Sequence, residues 1–95
     1  MIPYVEIILD KPRRLRYGMN QLVALEKELG GPISSLENQQ IGVTELRLLV
    51  WAGLIWEDAS MTPERAGEII DTSEMNVQEI IEKVGEALQA AFGKN

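Results

Sequence analysis

The sequence predicts a mainly α-helical (α+β) domain: an N-terminal β-hairpin followed by about four helices around a central apolar helix. Three observations carry this. Leu48-Leu49-Val50-Trp51-Ala52-Gly53-Leu54-Ile55-Trp56 is an unbroken run of apolar or small residues, closed by Glu57-Asp58. Such a run has no polar face, so it does not suit a surface helix and has to be wrapped. The first seventeen residues instead show β-branched and aromatic alternation, broken by Asp10-Lys11-Pro12. The rest of the chain carries helix punctuation at Gly30-Gly31-Pro32, Thr62-Pro63-Glu64 and Asn76-Val77-Gln78-Glu79.

In order, Tyr4 to Leu9 reads as a strand, rich in β-branched residues and without a helical period. Asp10-Lys11-Pro12 is a turn signal, because proline fixes φ and removes a donor. Arg13 to Tyr17 alternates again. The hairpin's apolar face is then Val5, Ile7, Leu9, Leu15 and Tyr17, with the arginines pointing outward. A two-stranded hairpin is marginal alone in water, so it must rest on helices or gain strands from a neighbouring subunit.

Asn20 is a good N-cap for a first helix over Gln21 to Leu29, with Leu22, Leu25 and Leu29 on one face beside Val23 and Ala24. Gly30-Gly31-Pro32 stops it. Ile33 to Glu37 makes at most one short turn, and residues 37–40 are polar loop. The second, central helix runs from Val43 to Trp56, with Glu45 near its start suiting the helix dipole. Thr62 caps a short third helix that opens on Pro63 and reaches Ile70, turning Ala66, Ile69 and Ile70 inward. Gly67 weakens this helix and allows close packing. Asn76 and Glu79 form a capping box, with Met75 and Ile80 as its staple. The last helix, Val77 to Phe92, is about 24 Å long. Its apolar stripe is Val77, Ile80, Ile81, Val84, Leu88, Ala91 and Phe92. The 95 residues make one domain: a hairpin over 1–17 and a helical part over 20–92.

The chain has no cysteine and no histidine. Disulfides, the usual zinc sites, thiol nucleophiles and imidazole acid–base chemistry are thereby removed. The acids do not follow a calcium-loop pattern, and no phosphate-binding glycine loop is present. The expectation is a protein that is not an enzyme, with no catalytic, cofactor-binding or metal-binding residues. No signal peptide is evident, and the nine-residue run is about half the roughly 18–20 residues of a membrane helix. The expected setting is soluble and cytoplasmic, away from membranes.

Net charge is −6, which opposes sequence-independent nucleic-acid binding. The charge is uneven. Residues 1–17 hold four basic and two acidic side chains, while residues 18–95 hold five basic and thirteen acidic. Lys11, Arg13, Arg14 and Arg16 cluster in the hairpin. Charge on an edge strand keeps it from pairing promiscuously, and the same arginines suit docking of an acidic partner, including the acidic face of a second copy. Sedimentation at low and high salt tests that self-association; a strict monomer at both removes it. Trp56, at the end of the apolar run, is the second candidate partner contact, since a part-exposed tryptophan anchors interfaces well. Trp51 reads as core. A helix-turn-helix reading of residues 43–71 would make a small regulatory DNA-binding protein. Its recognition helix would carry Arg65 against Glu64, Glu68 and Asp71, which suits a phosphate backbone badly.

Three blocks also carry a family likeness. Leu15-Arg16-Tyr17-Gly18 leads into Ala24-Leu25-Glu26-Lys27-Glu28-Leu29-Gly30. Leu49-Val50-Trp51-Ala52-Gly53-Leu54 follows. Then come Met61-Thr62-Pro63-Glu64 and Gly67-Glu68-Ile69-Ile70-Asp71. In order and spacing, residues 13–72 resemble the tail assembly chaperones of long-tailed bacteriophages, prophages and gene transfer agents. Val50, Met61 and Pro63 depart from the usual residues. The resemblance implies a non-catalytic virion-morphogenesis factor in the bacterial host cytoplasm. It would bind the tape-measure protein, and by extension meet the tail-tube protein, before the tube polymerises. A minor structural tail component is the alternative within the same setting.

Overall fold

The computed structural model describes residues 3–36 and 41–93. Two strands, β1 (Val5–Ile8) and β2 (Pro12–Leu15), form an antiparallel hairpin. Four helices follow: α1 (Met19–Leu29), α2 (Val43–Leu54), α3 (Pro63–Thr72) and α4 (Val77–Phe92). A 3-10 turn at Ile33–Leu36 lies between α1 and α2. The polar loop expected over residues 37–40 falls outside the described residues.

The hairpin pairs Val5 with Leu15 and Ile7 with Arg13. Because strand side chains alternate, these four share one face, and Glu6, Ile8, Pro12 and Arg14 share the other. Ile7, Leu9, Leu15 and Tyr17 are buried as the alternation requires, and Val5 packs against them. Arg13 is a correction. It was expected to point outward, yet it is only 7% exposed. Its register places it on the Leu15 face, and Asp10 makes that position tolerable. The Arg13 guanidinium donates twice to the Asp10 carboxylate, both times at 2.8 Å, so a buried charge keeps its partner. The same bond holds the Asp10 carboxyl below its ordinary range. Its contribution to stability is present above that range and is lost as pH falls through the lowered value.

The hairpin rests on helices. β1 packs on α4 and β2 on α2, and the Ser73 hydroxyl donates to the Ile8 carbonyl at 2.8 Å. α2 touches α1, α3, α4 and β2. Leu46, Leu48, Leu49, Val50, Ala52 and Leu54 on it are all buried. Truncating any of its buried leucines to alanine removes about 2–5 kcal/mol in such settings. Helix α2 is therefore the axis of the domain.

One glycine sets how near the hairpin comes. A Cβ on Gly53 would lie 2.7 Å from Leu15 Cδ2 and 3.0 Å from Tyr17 Cζ. The gap is filled from the hairpin side: the Arg16 amide donates to the Gly53 carbonyl at 3.0 Å. The Tyr17 hydroxyl donates to the Leu49 carbonyl at 2.5 Å. Between α2 and α3 a Cβ on Gly67 would lie 3.1 Å from Arg47 Cδ, on a flexible side chain that can shift to make room.

Helix boundaries depart from expectation at three places, the first being α3, which runs on to Thr72 rather than Ile70. α1 starts at Met19 rather than Gln21, capped by Gly18, because Gln21 Oε1 reaches back to accept from the Gly18 amide at 3.0 Å. α2 ends at Leu54 rather than Trp56. The Glu57 and Asp58 amides both donate to the Leu54 carbonyl, turning the chain toward α3. Asp58 Oδ1 then accepts from the Ser60 amide and hydroxyl at 3.1 and 2.6 Å. The other signals act as read. Thr62 Oγ1 accepts from the Arg65 amide at 3.1 Å. Asn76 and Glu79 exchange bonds at 2.8 and 2.9 Å. Gly30, at φ 77°, closes α1 in the left-handed region, where glycine is favoured.

Candidate functional site

Two surfaces stand out. The first is the aromatic and arginine cluster where the hairpin meets the end of α2. Trp56 is half-buried, and its indole N–H donates to the Arg14 carbonyl at 2.9 Å. Its ring stacks on Tyr4 with centroids 6.5 Å apart. The Arg14 guanidinium lies 5.1 Å from the Tyr4 ring and 5.3 Å from the Trp56 ring, and that of Arg16 lies 4.9 Å from the Trp56 ring. These are cation–π distances. Arg14 also donates to the Glu57 carboxylate, through Nε at 2.8 Å and through Nη2, and that bond raises its pKa. Glu57, the residue that ends the apolar run, thus offsets in cis the charge of one of the arginines.

Of the partner contacts expected from sequence, the fold brings Trp56, Arg14 and Arg16 together. Arg13 is not among them, being buried on the opposite face of β2 with Asp10. Trp56 is the clip that fastens the hairpin to the end of α2. Trp51, expected in the core, is half-buried. Its indole N–H donates to the Met61 carbonyl at 3.0 Å, tying α2 to the start of α3.

The second surface is an open groove of about 400 Å³ between the 3-10 turn, α2 and α4. Ile33, Leu36, Ile41, Leu46 and Leu49 form one wall and the floor; Ile81, Val84, Leu88 and Phe92 form the other wall. Among the described residues, the lining contains one polar side chain, Gln89, and no charged one. A second depression shares Ile33 and Phe92 with the groove and is lined also by Met19, Leu22, Val23 and Glu26 of α1. Phe92, Met19 and Val23 are 58%, 74% and 45% exposed. Scattered exposed apolar residues need no explanation, but a contiguous apolar surface marks an interaction site.

Sequence reasoning looked for the partner contact near Trp56 and did not place a groove here. It assigned the stripe Val77, Ile80, Ile81, Val84, Leu88, Ala91 and Phe92 wholly to packing. In the fold only Ile80 and Val84 of the stripe, together with Ala87, are buried, while Val77 and Phe92 are exposed. The stripe is wider than the core it serves. The one signal available in the sequence was Gly85, a helix-weakening residue within that stripe.

Among the described residues, no cluster of three or more acidic side chains could hold a metal ion, and no helix is long and apolar enough to cross a membrane. No protein-family model, curated protein or solved structure matches this chain.

Proposed function

We propose that this protein is a tail assembly chaperone of a long-tailed bacteriophage, prophage or gene transfer agent. Its task is to hold apolar helical segments of the tape-measure protein until the tail tube covers them. The observation that carries the reading is the open apolar groove between α2 and α4. A tape-measure segment is helical and apolar on one side before encapsulation, and an amphipathic helix laid in a groove is a standard mode of peptide recognition. The lining among the described residues, with a single amide and no charge, suits such a helix better than a polar metabolite, which needs several convergent polar groups.

Two further features support it. The three sequence blocks that resemble the family fall on the parts that build the domain: α1 with its Gly30 cap, α2 with Gly53, and α3 with its Thr62 cap. The net charge of −6 keeps a complex with an apolar client in solution.

Co-expression with the tape-measure protein of the same genome tests the proposal. The two proteins are expected to copurify, and the complex is expected to survive Trp56→Phe, since the cluster at Trp56 is committed to the hairpin. Failure of the tape-measure protein to copurify with the wild-type chain overturns the reading.

A further inference from the structure

Resting on the groove reading above, we propose that Gly85 is the notch at which the bound helix crosses α4. That helix presents a small residue to Gly85 and carries lysine or arginine along its flanks.

Gly85 sits inside α4, is exposed, and lines the groove. A Cβ built there meets no atom within 4 Å. Among the described residues nothing therefore requires a glycine at the position, in contrast to Gly53. Glycine in a helix interior carries a standing cost relative to alanine, and the cost is explained when another backbone needs the room. A bare Cα on one helix lets a second helix approach more closely than any side chain would allow.

Acidic residues flank the groove-lining stripe of α4. Glu82 and Glu86 follow Ile81 and Gly85 by one residue, about 100° further round the helix, and both are exposed. Glu26 lines the adjoining depression on α1, where its carboxylate accepts from the Ile33 amide at 2.9 Å. The nearby cation on α4, Lys83, faces Glu86 at 3.8 Å. An acidic rim favours a helix with basic flanks. A second copy of this chain could meet these acids with its basic hairpin, but there Arg13 and Arg14 are already paired with Asp10 and Glu57.

The test uses the full chain and labelled amphipathic peptides with a Leu/Ala stripe, flanked by lysine in one set and by glutamate in the other. Fluorescence anisotropy reads binding, and circular dichroism reads folding. The wild-type chain is expected to bind the lysine-flanked peptide and to bind the glutamate-flanked one at least about tenfold more weakly. Gly85→Ala is expected to melt about 4–8 °C higher than wild type, because the added methyl meets open space. Gly85→Trp is expected to keep the wild-type spectrum and melting temperature while losing about tenfold or more in affinity. Equal affinity of Gly85→Trp and wild type overturns the notch, as does absence of binding by the wild type or a lowered melting temperature for Gly85→Ala. The outcomes separate from those of the chaperone reading. Copurification of tape-measure protein with Gly85→Trp undoes the notch and leaves the chaperone. Gly85-dependent peptide binding without tape-measure copurification does the reverse.

Discussion

Gly53→Val is expected to destabilise the domain by about 3 kcal/mol, lowering the melting temperature by roughly 12–24 °C for a chain of this size. The cause is steric. The first added carbon alone would stand 2.7 Å from Leu15 Cδ2 and 3.0 Å from Tyr17 Cζ. Leu15 is fully buried and has nowhere to turn. Tyr17 is held by its bond to Leu49. Relief would have to come from the hairpin moving away from α2, which would open the Arg16–Gly53 backbone bond. Gly53→Ala separates this account from simple helix propensity. Alanine gains about 1 kcal/mol over glycine in an unconstrained helix. Here the clash outweighs that gain, and a net loss of about 1–2 kcal/mol is expected. Denaturant titration of the two variants checks both values, and a Gly53→Ala protein more stable than wild type would contradict the close approach.

Tyr17 carries the second large effect. It is fully buried beneath α2, so Tyr17→Ala is expected to cost about 3–5 kcal/mol through the cavity it leaves. Tyr17→Phe keeps the ring and loses one hydrogen bond, about 1 kcal/mol. The two variants also differ from wild type in their response to base. Burial pushes the Tyr17 hydroxyl far above its ordinary value of 10. The folded protein therefore holds this proton after the unfolded chain has released its own. The contribution is complete below pH 10 and falls as pH rises beyond it, by about 1.4 kcal/mol per pH unit. Wild type is expected to lose stability between pH 10 and 11 faster than Tyr17→Phe, whose other titrating groups are unchanged. Parallel stability curves for the two proteins would show that Tyr17 ionises without unfolding the hairpin.

The fold was legible in the sequence where local chemistry and global packing agree. The Thr62-Pro63 start, the Asn76–Glu79 box and the Gly30 stop are short-range signals, and the helices obey them. The apolar run reads correctly as the central helix because nothing but burial suits it. The failures occur where one specific hydrogen-bond partner decides, even one only three residues away. Arg13 looks like a surface cation until Asp10 folds back on it. Trp56 looks like the last residue of a helix until the Leu54 carbonyl takes the amides of Glu57 and Asp58 and turns the chain. The aromatic and arginine cluster was half visible, since Trp56, Arg14 and Arg16 were all marked, but Tyr4 and Glu57 join them only through the hairpin's placement. The groove was illegible for another reason. An apolar stripe on α4 gives no indication of how much of its width the rest of the chain covers.

The central claim is that the groove between α2 and α4 holds the client helix. Hydrogen exchange on the full chain, alone and copurified with the tape-measure protein, tests it most directly. Binding is expected to slow exchange along Ile81–Phe92 of α4 and in the Ile33–Leu36 turn, with the hairpin amides of residues 5–15 unchanged. Protection confined to the hairpin and Trp56, or no change along α4, would contradict it.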